Sequence, residues 1–158
     1  MTAAFGTDEE EHFTDADWDH AAGGMHFLLD LDGALVVHAA VVKRAIQIGD
    51  TFLRTGYVEA VATSPGQQGR GFGTIVMEAV TAEIRATFEL GMLGTGRHRF
   101  YERLGWETWM GPALVRTAEG PRRTPDDESY LLVLRTPASP AFTLDQPISC
   151  DWRGGDVW

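Results

Sequence analysis

The stretch GYVEAVATSPGQQGRGFGT, residues 56–74, decides the fold. It opens β-branched and alternating, which is strand chemistry, and closes in a turn carrying Gly66, Gly69, Gly71 and Gly73. An amphipathic run over residues 72–90 follows. Its predicted apolar stripe holds Ile75, Val76, Ala79, Val80, Ile84 and Phe88, with Glu78, Thr81, Arg85 and Glu89 opposite. Strand, glycine turn and helix start, in that order, aim free backbone N–H groups at a phosphate. Glu59 lies just upstream on the same predicted strand.

Upstream, the acidic run 8–11 is expected to be solvated. Thr14, Asp15 and Asp17 predict a helix start, with a short helix through Trp18 to Ala22 that Gly23-Gly24 stops. Residues 25–31 and 34–42 are apolar and β-prone, and Asp32-Gly33 between them predicts a hairpin. A further strand is expected over 45–48, turning at Gly49-Asp50 into the opening stretch. Downstream, Gly91 is expected to close the long helix, and Met92-Leu93 to form a short strand. Gly94-Thr95-Gly96 turns into a second helix over 97–104, followed by a strand over 106–109. Residues 118–129 read as one long polar loop and 130–134 as the last clear strand. A meander followed by alternating strands and helices predicts an α+β fold with a mixed sheet.

The 158 residues fit one domain able to bury a proper core. A formal net charge of −10 argues against nucleic acid as a partner and suits a polycationic ligand, the competing reading being an acidic surface that only confers solubility. Cys150 is the one cysteine, so no internal disulfide forms and no metal cluster is expected. No apolar stretch approaches the roughly 18 residues that span a bilayer, and no leader opens the chain, so a cytoplasmic protein with no membrane partner is expected.

Several phosphate motifs can be tested on the glycine turn. A dinucleotide fingerprint needs glycine where Thr74 stands, and no Gly-Lys-Ser/Thr of a Walker loop exists. Gln68-Gly69-Arg70-Gly71-Phe72-Gly73 fits Q/R-x-x-G-x-G/A and resembles the pyrophosphate loop of the acetyl-CoA-dependent N-acetyltransferase (GNAT) superfamily. The resemblance implies a mostly antiparallel twisted sheet with a splayed parallel strand pair, flanked by helices. It implies acetyl-CoA as cosubstrate, held by residues 68–74, Thr74 included. The backbone of the preceding strand, at Ala60, Val61 and Thr63, would hold the pantetheine arm beside a bulge or splay. A glycine-rich turn with no ligand is the competing reading of the hexapeptide.

Further pieces narrow the likeness. FTDADW (13–18), GGMH (23–26), GYVE (56–59), LGW (104–106), TPDD (124–127) and the terminal CDWRGGDVW (150–158) together resemble the aminoglycoside 2′-N-acetyltransferases over residues 12–158. That resemblance implies Glu59 as the base that deprotonates the substrate ammonium through water, which a sugar amine needs before it attacks a thioester. It implies Tyr101 as the acid for the departing thiolate. Asp17, Thr95, Asp127, Asp156 and Trp158, with its α-carboxylate, become substrate contacts, and a homodimer is implied. The transfer is a direct attack in a ternary complex, with no metal and no acyl-enzyme.

Departures from the family are also visible. The chain begins late and is expected to lack the family's first strand; His12 replaces an aspartate; and the turn at Thr95 is shortened. On composition alone Glu59 reads as an ordinary strand carboxylate, Tyr101 as core or rim, and Asp127 as a turn residue. His26, His38 and His98, without partners at ligand spacing, read as structural, and Cys150 as a small hydrophobe. Two other functions stay open: the same transfer onto a polyamine or cellular amino sugar, and a CoA-binding or drug-sequestering module without turnover.

Overall fold

Asp32 and Gly33 are both left-handed, with φ of +54° and +82°, the conformation a two-residue hairpin needs to match strand twist. In the computed structural model the backbone is described over residues 15–158 and side chains from Trp18 onward; the acidic run 8–11, His12 and the Thr14 cap lie outside the described residues, as does the Asp17 side chain. The chain divides into two compact units, Met1–Val42 with Val58–Ala82, and Lys43–Tyr57 with Glu83–Trp158.

In the first unit, α1 (Asp15–Ala22) stops where Gly24 N–H returns to the Ala21 carbonyl at 3.0 Å. Gly24 is required there, because a Cβ would sit 2.6 Å from the Val41 carbonyl oxygen. β1 (Met25–Leu31) pairs antiparallel with β2 (Ala34–Ile48). The register slips by one between Leu29 and Asp30, leaving Val36 as the extra residue of a bulge. Its carbonyl is taken by Ser64 N–H at 2.8 Å.

β2 is one continuous 15-residue strand rather than the two expected. Every residue of 36–42 is buried, as a strand covered on both faces requires, and from Lys43 burial only alternates. The charges at Lys43 and Arg44 mark that change of surroundings and not a break.

β3 (Thr51–Thr63) leads through a short 3-10 turn (Pro65–Gln67) to α2 (Phe72–Thr87). The buried face of α2 is Val76, Met77, Val80, Thr81 and Ile84, while Ile75 is 55% exposed. The apolar stripe is therefore rotated from expectation: Met77 and Thr81 lie inside, Ile75 and Ala79 outside. Positions 77, 80, 81 and 84 keep helical spacing, and a methyl-bearing threonine fits among them.

The second unit adds β4 (Leu90–Gly94), α3 (His98–Glu102), β5 (Glu107–Thr108), β6 (Ala113–Thr117), β7 (Gly120–Arg123), β8 (Leu131–Arg135) and β9 (Ile148–Asp151). Its strands run in the order β5-β8-β4-β3-β2-β9-β6-β7. β3–β4 and β6–β9 are parallel, whereas β4–β8, β5–β8, β6–β7 and β2–β9 are antiparallel. Leu90, Met92, Leu93, Leu131, Leu132 and Leu134 are among its fully buried side chains. Each contributes about 1.5–3 kcal/mol on burial.

Gly91 does not close the long helix but lies inside β4, opposite Gly56 of β3. Ile84 covers both: a Cβ on either glycine would come within 3.0 Å of its branches. The loop expected over 118–129 contains β7, whose Pro121 is tolerated at the end of the sheet path. No helix of the described residues is long and apolar enough to cross a membrane.

Candidate functional site

Within the first unit, β3 carries Glu59, half-buried, directly before Ala60. Ala60 has φ +52°, a left-handed conformation that costs an alanine energy. The Ala60 carbonyl accepts a hydrogen bond from His38 Nδ1 at 2.8 Å, and His38 Nε2 lies 2.8 Å from His26 Nδ1. Trp18 packs on both imidazoles, with ring centroids 5.9 and 5.6 Å away. His26 and His38 are therefore hydrogen-bond partners. Burial foremost holds the His38 imidazole below the ordinary histidine range, its bond to Ala60 acting in the opposite sense.

After β3, Gln68 Nε2 donates to the Thr63 carbonyl at 3.4 Å, tying the glycine turn back to the strand. Gly69 and Gly71 have φ of +74° and +83°, and a Cβ on either would meet nothing within 4 Å. They are glycines for conformation and for the open approach they leave. Arg70 bonds the Gln67 side chain and lies 5.0 Å from the Phe72 ring centroid. The first bond of α2 runs from Ile75 N–H to Gly71 at 3.2 Å, so Phe72, Gly73 and Thr74 present N–H groups with no intrahelical acceptor. With the positive end of a 16-residue helix behind them, these donors fit a diphosphate.

Within the second unit, Tyr101 sits on α3, 6% exposed, with its ring edge-on to Phe100 and Trp106. Thr95 Oγ1 accepts from Arg97 N–H at 3.0 Å, capping the turn before that helix. Asp127 and Asp156 come together although 29 positions apart. The Asp127 carboxyl is raised above its ordinary range by burial first, then by the charges of Asp156 and Asp126, while a bond from Thr124 offsets part of the rise. Trp158 joins this group: its N–H reaches Asp156 Oδ1 at 3.3 Å, and its indole Nε1 donates to Thr124 Oγ1 at 2.8 Å.

Arginines brace the tail. Arg44 Nη2 donates to the Val157 carbonyl at 2.7 Å, Arg153 Nε to the Asp156 carbonyl at 2.8 Å, and Arg153 Nη2 to the Trp158 carbonyl oxygen at 3.4 Å. Both guanidinium groups lie over the Tyr57 ring, 4.6 and 5.8 Å from its centroid. Thr124, Arg44, Arg153 and Tyr57 were not predicted as site residues, although Tyr57, Thr124 and Arg153 fall inside the quoted motifs. A cleft of about 550 Å³ is lined by Thr124 together with Arg116, Arg122, Arg123, Glu119 and Asp151. No cluster able to hold a metal ion occurs among the described residues.

The chain is similar to known proteins. A family model described as an acetyltransferase (GNAT) domain matches residues 2–109. An aminoglycoside 2′-N-acetyltransferase of Mycolicibacterium fortuitum is 46% identical over 154 residues, 94% of this chain and 78% of that protein. Among solved structures, a GNAT family acetyltransferase from Brucella melitensis in complex with acetyl-CoA matches with TM-score 0.59 at 19% identity, covering 92% of this chain and 81% of that one. The ribosomal-protein-S18-alanine N-acetyltransferase from Escherichia coli matches with TM-score 0.54 at 17% identity, covering 89% and 88%. At such identities the solved structures bear on the fold alone.

Proposed function

The chain belongs to the GNAT acetyltransferase family, and from that premise we propose that it transfers acetyl from acetyl-CoA to an amine of aminoglycoside antibiotics, the 2′-amine being implied by its relative. The observation that carries the acceptor is the convergence of Asp127, Asp156 and Trp158, where Asp127 ionises against its own surroundings. A carboxylate held in that state gains most from a cationic ligand, and an aminoglycoside brings several ammonium groups.

The donor would be held by the N–H groups at the start of α2, by Gln68, Gly69, Arg70 and Gly71, and by the backbone at Ala60, Val61 and Thr63. Acetyl-CoA, when bound, supplies an activated thioester. Glu59 takes the proton of the substrate ammonium through water, so that the amine has a lone pair to attack with. Tyr101 holds a proton at its hydroxyl for the leaving thiolate. Asp17 and Thr95 complete the substrate contacts. The carbon–nitrogen bond forms as the carbon–sulfur bond breaks, in a ternary complex, and resistance to the drug follows. We read the chain as one acetyltransferase domain, cytoplasmic and homodimeric, with neither nucleic acid nor membrane among its partners.

The test is CoA release from acetyl-CoA over a panel of aminoglycosides, with polyamines and simple amino sugars alongside. Turnover on aminoglycosides at the 2′-amine is expected. Turnover confined to polyamines would move the function to that substrate class, and saturable acetyl-CoA binding without thiol release on any amine would remove the enzyme.

A further inference from the structure

Ala60 is the second of two residues with positive φ among the non-glycines described, and unlike Asp32 it stands in the body of a strand rather than in a turn. A left-handed alanine persists only where its surroundings determine it. The surroundings here are His38, on the neighbouring β2 and 4% exposed, whose Nδ1 meets the Ala60 carbonyl at 2.8 Å. A carbonyl only accepts, so the proton of that contact is on Nδ1. In the neutral imidazole Nε2 is then an acceptor, and His26 Nδ1, 2.8 Å away, must donate to it. One hydrogen bond therefore fixes two tautomers in sequence, and Trp18 packs at a tilt against both rings.

The direction of the Ala60 carbonyl has a consequence one atom further on. The peptide that joins Ala60 to Val61 is planar and trans, so its N–H points opposite to its C=O. By holding the carbonyl, His38 aims the Val61 N–H away from β2. We propose that His38, with His26 behind it, is a positioning residue for acetyl transfer that holds the left-handed turn at Ala60 and thereby presents the Val61 N–H beside Glu59. This rests on the reading of β3 as the strand that holds the acetyl donor.

If His38 acts through the conformation of Ala60, relieving the strain at Ala60 must relieve the need for His38. Acetyl-CoA affinity is measured by calorimetry on the full chain, together with kcat and KM, for His38→Ala, His38→Asn, Ala60→Gly and the His38→Ala/Ala60→Gly pair. His38→Ala is expected to weaken acetyl-CoA binding about tenfold, the effect of losing one such contact. His38→Asn carries an N–H donor close to the Nδ1 position and is expected to stay within about threefold of the parent. Ala60→Gly adopts positive φ freely, so the pair is expected to recover most of the affinity that His38→Ala loses.

Unchanged affinity in folded His38→Ala overturns the proposal. A loss that neither His38→Asn nor the added Ala60→Gly recovers also overturns it, because that is the behaviour of a packing residue. Imidazole 15N spectra of the ligand-free parent are expected to place the His38 proton on Nδ1, and an Nε2–H tautomer overturns the proposal even if every variant misfolds. Failure of the parent to bind acetyl-CoA would instead remove the function on which it rests, with the 15N result standing apart.

Discussion

The indole Nε1 of Trp158 donates to Thr124 Oγ1 at 2.8 Å, closing a loop of 34 residues. Thr124 also offsets the raised pKa of Asp127, so one hydroxyl serves both the tail and the carboxylate. Thr124→Val keeps the shape and removes the acceptor, leaving a buried indole N–H unpaired at about 1–3 kcal/mol. The aminoglycoside KM is expected to rise with a smaller change in kcat, and Thr124→Ser to restore it. Steady-state kinetics on purified variants decides.

Ionised Asp127 works against the stability of the fold. Its folded-state pKa lies above its ordinary value, so the folded chain holds this proton more readily than the unfolded one. The stabilisation is fully present below the ordinary carboxylate range and is lost as pH rises through the folded value. Near neutrality Asp127→Asn is therefore expected to raise the Tm of the ligand-free protein. The gain should shrink as melts are taken down towards about pH 4, where the parent regains its proton. Aminoglycoside affinity should fall about tenfold or more, the scale of one charge-assisted contact.

Glu59→Gln leaves the shape and removes the proposed base. We expect kcat/KM to fall about 10²–10⁴-fold, most severely at low pH, where the substrate amine carries its proton most firmly. The check is a pH–rate profile of parent and variant. Parallel profiles would take the base role from Glu59.

Gly56 and Gly91 face each other across β3 and β4 beneath Ile84. Gly56→Ala brings its Cβ to 2.8 Å from Phe88 and 3.0 Å from Ile84; Gly91→Ala brings it to 2.9 Å from Leu134 and 3.0 Å from Ile84. Each is expected to cost about 1–3 kcal/mol by overpacking. Because Ile84 is common to both clashes, Ile84→Ala should cost less in either variant than in the parent. Urea unfolding of the double-mutant cycle measures that coupling.

What the sequence made legible was local. Asp32-Gly33 announces its hairpin because few residue pairs adopt two positive φ values, and the glycine turn before α2 announces itself for the same reason. β6 and β9 were not legible. They pair in parallel across more than thirty residues, so neither has a hairpin partner or a turn signal beside it. The partnership of His26 with His38 was hidden by the slip between Leu29 and Asp30. An unbroken two-residue hairpin puts these side chains on opposite faces, and the extra residue at Val36 brings them to one face. The left-handed Ala60 has no composition signal at all, since alanine is the wrong residue for it. The acidic group at Asp127, Asp156 and Trp158 was readable only as a resemblance, because nothing local joins positions so far apart.

Cys150, the only thiol in the sequence, is fully buried, and burial pushes its pKa up while its Sγ donates to the Val157 carbonyl at 3.3 Å. A thiol so held is slow to form the thiolate that disulfide reagents capture. A colorimetric thiol reagent added to the folded protein thus meets free CoA as its reactive partner. The colour counts turnovers directly, with little background from the catalyst, and a late slow rise in it marks unfolding.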